Sequence, residues 1–407
     1  DNNPIIFSIF RDKMYERPIE SCVREICDNA RDAHREVGTP EKPIEITLPG
    51  DYIVIKDYGP GISPERIEDI YCYYGKSTKR DSNLQGGGYG LGSKLPFAYT
   101  DSFTVTTVVN GIQYEYLMYI DESQRGAIKL ISQNETNEPN GTEVRIPVQT
   151  GDKFPWREAV EKVTKYYHVS GDAHPKIRGQ INQPAYPKIK ERGEGWVRFE
   201  NNPCNIVIVN GIEYQIDSYE FTKNYSISVV PTFQVGELDL ASNREYIQIN
   251  KKNKEKVTER INQYKEFVKN KIETSIDDIE DFATVLKTLN DYSSVIQQKE
   301  YEWRGFKFYY PAQFKLFRHN TYKDRFDQYF DRFYSDNVIV IDKLIDIVSA
   351  RHKCVQYARQ QGWKDFHVIN NDWPIRGIDY SSIKVERNYG GRSGYSRPKG
   401  QVKNNAK

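Results

Sequence analysis

Residues 24–34 read REICDNARDAH, residues 57–61 DYGPG and residues 87–94 GGYGLGSK. On a helical wheel at about 100° per residue, Glu25, Asn29, Asp32 and Glu36 fall in one narrow stripe beside an apolar face. Acids stacked a turn apart repel by roughly a few tenths of a kcal/mol when exposed, unless a cation or ligand offsets them. A magnesium-phosphate group would do so: the Asn29 side-chain oxygen ligates the metal, and Glu25 orients or deprotonates an attacking water. The plainer alternative is an acidic surface stripe. The neighbouring stripe of Arg24, Asp28, Arg31 and Arg35 mixes signs and reads as a solvated face laced with ion pairs.

Asp57 follows an apolar run and precedes Gly59 and Gly61. A carboxylate there accepts a hydrogen bond from an exocyclic amine, and glycines without Cβ let a ring lie close to backbone; the alternative is a plain turn. Gly87, Gly88, Gly90, Leu91 and Gly92, ahead of Ser93 and Lys94, bend the chain so that amides and a helix N-terminus face phosphate oxygens, with Lys94 adding a charge. No Rossmann strand precedes this run, which argues against a dinucleotide site. The polar stretch over residues 75–85, Lys76 included, is a candidate lid over a nucleotide, or else a connector.

These groups need elements to hold them. Apolar residues at Val23, Ile26, Ala30, Ala33 and Val37 predict a helix over residues 18–37, with Pro18 in its first turn and Gly38 and Pro40 at its end. IEITL, the Pro49-Gly50 turn and DYIVIKD predict paired strands, and Ser63 caps a short helix from Pro64. FTVTTVV and IQYEYLMYI around Asn110-Gly111 predict a hairpin. AIKLIS and TEVRIPV add strands, giving a mostly antiparallel sheet covered by helices over residues 1–150.

A second unit follows over residues 151–275: an amphipathic helix around 155–168, the strands WVRFE, NIVIV, IEYQI and SISVVPTF with a second Asn-Gly turn at Asn210, and a charged helix over 251–274. Residues 276–384 read as a mixed α/β region in which NVIVID, a helix over 343–361 and FHVIN form one strand-helix-strand unit. Residues 385–407 read as a flexible basic tail.

The bulk numbers bound the function. At 407 residues, two or three domains are expected. With 58 basic against 57 acidic residues the net charge is +1, which argues against a dedicated nucleic-acid coat. Five scattered cysteines without metal-ligand spacing suit a reducing cytoplasm. No apolar run approaches the roughly 20 residues that span a bilayer, and no secretory leader is visible. The chain starts at Asp1 without a methionine, which leaves processing or flanking residues open.

The three boxes, in this order, resemble the GHKL ATPases: gyrase, the heat-shock-ninety chaperone, histidine kinases and MutL. REICDNARDAH is similar to their helix, DYGPG to their adenine box, GGYGLGSK to their phosphate loop and Gly141-Thr142 to a later Gly-Thr that assists adenine binding. The resemblance implies an α+β fold, a Bergerat-type sandwich followed by a transducer-like domain, with ATP and Mg2+ as cofactors. It makes Glu25 the general base, Asn29 the magnesium ligand and Asp57 the adenine acceptor, with Asp32 and Thr142 supporting the nucleotide. ELDLASNREYIQ (237–248) is similar to a chaperone segment whose arginine reaches the γ-phosphate, a role that falls to Arg244 here. An arginine fork binds phosphate oxygens in pairs; the alternative is a salt bridge from Arg244 to Glu237, Asp239 or Glu245.

Narrower still, the opening helix, DYGPGIS, GGYGLGSKLPFAYTDSFTVTT and LDLASNRE resemble the rapid-lysis rIIA-like family of T-even phages, over roughly residues 5–265. That resemblance implies an ATP-driven switch in the infected bacterial cytoplasm, peripheral to the inner membrane, linked to lysis timing or resistance to exclusion. GHKL relatives with a second domain of this kind usually dimerise on ATP, which implies an ATP-dependent homodimer here; the further partner is an unknown phage or host protein. The arm over residues 3–11, with PIIFSIF, either crosses between subunits or forms an edge strand of its own domain. Two other functions stay open, a DNA-acting clamp of the topoisomerase or MutL kind and a chaperone-like remodeller, as does a module that binds nucleotide but hardly hydrolyses it.

Overall fold

A computed structural model describes residues 13–48, 50–71, 92–179, 183–222, 228–279, 282–296, 299–304, 306–310, 315–320, 325–329, 338–341, 359–360, 362 and 364–370. The chain divides into two compact units, Asp1–Tyr264 and Lys265–Lys407. In the first, helix α1 (Pro18–Glu36) forms where the periodicity predicts it. Pro18 occupies its first turn, where a missing N–H costs nothing. Cys22, Val23, Ile26, Cys27 and Ala30 make its buried side, and the chain leaves it through Gly38 at φ +74°.

Strands β1 (Glu45–Thr47) and β2 (Tyr52–Lys56) pair antiparallel, as expected of IEITL and DYIVIKD. Helix α2 (Pro64–Tyr71) and a 3-10 helix (Gly92–Ala98) follow, then β3 (Ser102–Val109), β4 (Ile112–Ile120), β5 (Gly126–Glu135) and β6 (Gly141–Pro147). The β3–β4 turn has Asn110 at φ 53° and Gly111 at φ 80°, the left-handed pair that a two-residue hairpin requires. Helix α3 (Lys153–Thr164) then packs on α1, with Trp156 and Val160 fully buried and Tyr99 edge-on to Trp156 at 5.1 Å. Burying an aliphatic side chain of this size contributes about 1.5–3 kcal/mol. Strand β7 (Lys176–Arg178) joins the same sheet beside β1 in parallel.

The seven strands run in the order β5-β4-β3-β6-β2-β1-β7, with every pairing antiparallel except β1–β7. The fold is the expected α+β type, an antiparallel-rich sheet with helices. β6 lies between β3 and β2, which brings residues 141–142 beside the end of β2 and so beside Asp57.

Next along the chain are β8 (Ile189–Gly193), β9 (Trp196–Phe199), β10 (Ile206–Val209), β11 (Ile212–Gln215), the short helix α4 (Ser218–Thr222) and β12 (Val230–Phe233). The strands form a second sheet in the order β11-β10-β12-β9-β8. Tyr166, Val197, Phe199, Ile206, Ile208 and Val230 form its core. Its β10–β11 hairpin again turns on a left-handed Asn-Gly pair, Asn210 and Gly211. SISVVPTF yields a strand only at β12, and residues 223–227 lie outside the described residues. Helix α5 (Lys251–Ser275) begins in this unit.

The second unit contains helix α6 (Phe282–Asp291), the hairpin β13 (Lys299–Trp303) and β14 (Phe306–Tyr310), and a four-stranded sheet. That sheet comprises β15 (Lys315–Asn320), β16 (Arg325–Tyr329), β17 (Val338–Ile341) and β18 (Asp365–Asn370), in the order β16-β15-β18-β17. β17 and β18 pair in parallel, the arrangement a strand-helix-strand unit needs. Most of the expected connecting helix, residues 343–358, the N-terminal arm and the basic tail lie outside the described residues.

Candidate functional site

The site is built on α1. Glu25 is buried, Asn29 half-buried, Asp32 buried and Glu36 exposed, so the stripe sinks into the protein at three of its four positions. Glu25 lies against the start of the 3-10 helix. A Cβ added to Gly92 would stand 2.4 Å from Glu25 Oε2, so only glycine leaves room for the carboxylate. Among the described residues Asn29 makes no side-chain hydrogen bond, which leaves its amide oxygen free for a ligand.

The second stripe corrects the sequence reading. Arg24, Asp28 and Arg31 are each 3 % exposed, not solvated. The wheel gives angular position but not what packs on it, and segments distant in sequence close over this face. Arg31 donates to Asp28 Oδ1 at 3.0 Å, to Ser170 Oγ at 2.9 Å, to the Asn210 carbonyl at 2.7 Å and to Asp172 Oδ2 at 2.5 Å, with its guanidinium 4.0 Å over the Tyr167 ring. Arg35 adds bonds to Asp172 Oδ1, Asn210 Oδ1 and Asp32 Oδ1. Burial alone would raise the Asp172 carboxyl, but Arg31 and the hydrogen bonds from Arg35, Arg31 and Ser170 hold it below the usual range. Burial raises Asp28 in spite of Arg31 and Arg244. The expected ion pairs within α1 are present, Arg31 with Asp28 and Arg35 with Asp32, and the same arginines also tie α1 to residues 170–172 and the Asn210 turn.

Arg244, at φ 56°, donates to Glu25 Oε1 at 2.8 Å and to Asp28 Oδ2 at 3.4 Å. The three acids weighed as its alternative partners are engaged elsewhere: Glu237 with Arg260, Asp239 with Lys252, and Glu245 with the segment before α1. The putting together of Glu25 and Arg244 is thus a property of the tertiary structure, since 218 residues separate them in the chain.

Asp57 follows β2 and is 7 % exposed. Its Oδ1 accepts the Gly59 amide at 2.9 Å and the Thr142 amide at 3.1 Å, and its own amide donates to the Thr142 carbonyl. Burial pushes its carboxyl up to about 6 against the pull of those two bonds. Thr142 therefore holds Asp57 through its backbone. Gly59 packs so close to α1 that a Cβ would meet Ala33 Cβ at 2.5 Å, and Gly61 takes φ +76°. His34 fixes the loop further: its Nε2 accepts the Tyr58 amide at 2.8 Å, so Nδ1 carries the proton and donates to the Lys42 carbonyl at 2.9 Å. Burial lowers the His34 imidazole, which keeps it neutral. Nothing in the sequence spacing marked His34, Asp172 or Asn210, because each acts through a partner remote in the chain.

Ser93 and Lys94 are positioned at the end of α2. The Ser93 hydroxyl and the Lys94 ammonium both donate to the Ile70 carbonyl at 2.6 Å, and Lys94 is buried. A cation suits a helix C-terminus, and this one joins the two flanks of residues 72–91. Lys76, Gly87, Gly88, Gly90, Leu91 and the candidate lid lie outside the described residues. Among the described residues no group of three or more His, Cys, Asp or Glu could hold a metal ion, and no helix is long and apolar enough to cross a membrane.

No curated protein matches the chain. Residues 14–150, which contain α1, the Asp57 loop, the Gly92 approach and the Thr142 strand, match the family model described as Histidine kinase-, DNA gyrase B-, and HSP90-like ATPase, and this part of the chain is a domain of that GHKL family.

Proposed function

We propose that this protein binds ATP with Mg2+ on α1 and hydrolyses it slowly, using the bond cleavage to switch conformation. The observation that carries the reading is how α1 unites the two ends of a nucleotide site. Near its start it holds Glu25 against Gly92, and near its end Ala33 and His34 fix the loop of Asp57. Asp57 Oδ1 is saturated by two backbone amides, so Oδ2 is the oxygen left to accept the adenine amine. Asn29 would hold Mg2+ together with the phosphates. A site with one protein ligand suits this ion, which keeps waters and phosphate oxygens in its shell. The metal would neutralise the phosphate charge.

Hydrolysis needs Glu25 to accept a proton from the attacking water. In this structure its carboxylate is ion-paired with Arg244. A γ-phosphate offers the Arg244 fork a stronger, doubly hydrogen-bonded partner, so nucleotide draws the guanidinium off Glu25 and frees the base. The test is ATP turnover and ATP binding by wild type and Glu25→Ala. Turnover is expected to fall about 100-fold or more with binding retained; equal turnover would refute the assignment.

The biological setting we infer is that of the phage rapid-lysis rIIA-like family, on the strength of the sequence resemblance: a switch in infected bacteria tied to lysis timing or resistance to exclusion. It would dimerise on ATP and engage a phage or host protein. We also keep the division into an ATP-binding domain (1–150), a transducer-like domain (151–275), a mixed region and a tail. Sedimentation with and without a non-hydrolysable ATP analogue tests dimerisation. Affinity recovery from infected cells with ATP-trapped Glu25→Ala identifies the partner.

A further inference from the structure

Arg244 sits at the tip of a narrow loop whose two flanking residues are both bound to the beginning of α1. Glu245 is the centre of this attachment. Its Oε1 accepts the Arg17 amide at 3.0 Å and the Ser21 hydroxyl at 2.9 Å. Its Oε2 accepts the Glu16 amide at 3.2 Å and the Asn243 side-chain amide at 2.9 Å. Four donors thus converge on one carboxylate. Arg17, the residue at the α1 N-cap, makes no side-chain cap, and the carboxylate that accepts its own amide comes from 228 residues away, with its negative charge near the helix N-terminus.

Asn243 grips from the other side of Arg244. Its Oδ1 accepts the Glu245 amide, its Nδ2 also donates to the Met14 carbonyl, and its backbone carbonyl accepts Arg24 Nη2 at 3.0 Å. The Tyr246 hydroxyl bonds Glu16. The base of the loop is fixed separately, by Asn253 of α5. That fully buried side chain accepts the Asp239 amide and donates to the Asp239 and Gln248 carbonyls. Between these two attachments Arg244 holds a left-handed backbone, uncommon for a residue with a side chain, and reaches Glu25 two turns along α1.

We propose that Glu245, helped by Asn243, is a positioning residue for the ATPase reaction: it fixes the loop to the α1 N-terminus and so sets the register of Arg244 over Glu25. This rests on the reading of Glu25 and Arg244 given above. The loop cannot slide along the helix without breaking the Glu245 carboxylate from the Glu16 amide, the Arg17 amide and the Ser21 hydroxyl. An error of one ångström at the arginine fork suffices to lose paired contact with a phosphate. Met14 and Glu16 lie in the same bonded group, so any change at Arg244 on nucleotide binding is felt directly by the segment that precedes α1.

The test is a double-mutant cycle in ATP turnover with Glu245→Gln and Arg244→Ala. The glutamine keeps the size of the side chain but turns one acceptor oxygen into a donor facing other donors. Glu245→Gln is expected to lower kcat roughly tenfold with KM within about twofold, and to add less than about twofold when Arg244 is already alanine. An equal loss in both backgrounds, or no loss in either, would overturn the proposal. Asn243→Ala, which leaves the Glu245 carboxylate on the Glu16 and Arg17 amides in place, serves as the second variant should Glu245→Gln not fold, with the same expected non-additivity. Absence of turnover in the wild type is a different failure, visible before any variant is made; it would remove the reading of the site and this inference with it.

Discussion

Replacing Asp57 by asparagine separates binding from stability in opposite directions. The carboxyl sits 7 % exposed and burial pushes it from 3.8 up to about 6. The folded protein therefore holds this proton more tightly than the unfolded chain does. Between pH 3.8 and about 6 the native state binds more protons, so this group's stability contribution is lost as pH rises through that window, by about 3 kcal/mol in all. Asparagine carries no charge to bury, and its Oδ1 still accepts the Gly59 and Thr142 amides. Without nucleotide, Asp57→Asn is expected to melt higher than wild type at pH 8, with a gain of up to about 3 kcal/mol.

Nucleotide binding moves the other way. An exocyclic amine donates to Oδ2 only when the carboxyl is ionised, so wild-type affinity for ATP should be level above about pH 7 and fall about tenfold per unit below 6. In Asp57→Asn an N–H replaces Oδ2 and meets the amine donor to donor. Loss of a charge-assisted bond of about 1.5–3 kcal/mol lowers affinity on the order of 10- to 100-fold at pH 8. Calorimetric titration with ATP from pH 5 to 8 measures both, and the variant controls for protons taken up by ATP itself. Wild-type affinity in Asp57→Asn, or an unchanged step near pH 6 in the variant, would refute the assignment of Asp57 to the base.

Three further outcomes follow from the geometry. Asn29→Ala should abolish the magnesium dependence of ATP binding, seen as coincident titrations with Mg2+ and with EDTA. Gly92→Ala places a methyl group 2.4 Å from Glu25 Oε2 and should reduce turnover at least about tenfold while ATP still binds, measured by steady-state kinetics beside calorimetry. Asp172→Ala takes one carboxylate from Arg31, which is 3 % exposed and keeps its pair with Asp28, and should cost about 1.5–3 kcal/mol in denaturant unfolding. The surface ion pair Lys251–Glu255, both well exposed, provides the contrast: its removal should change stability by less than about 1 kcal/mol.

The sequence by itself determined what depends on neighbours in the chain. α1 follows from the three- and four-residue spacing of its apolar positions and from Pro18 and Gly38. Both Asn-Gly hairpins follow from the left-handed backbone those turns demand. The placement of Glu25 and Asn29 one turn apart follows from helical geometry alone. The family resemblance gave Asp57 and Thr142 roles at the same nucleotide, but the bond between the Thr142 amide and Asp57 came only from the strand order.

Only the tertiary structure decided which side of α1 is buried against what. A helical wheel makes Arg24, Asp28 and Arg31 a polar face, and polar faces are usually wet. Here Asp172 and the Asn210 carbonyl bind Arg31 and the Asn243 carbonyl binds Arg24, although Arg24 Nε is buried without a hydrogen bond and burial still raises Asp28; none of the three partners is near α1 in sequence. The same holds for Arg244 on Glu25, Glu245 on the helix start and Lys94 on Ile70. Charged side chains carry no periodicity that names their partner, so their pairing is fixed by which remote segments the fold brings to them.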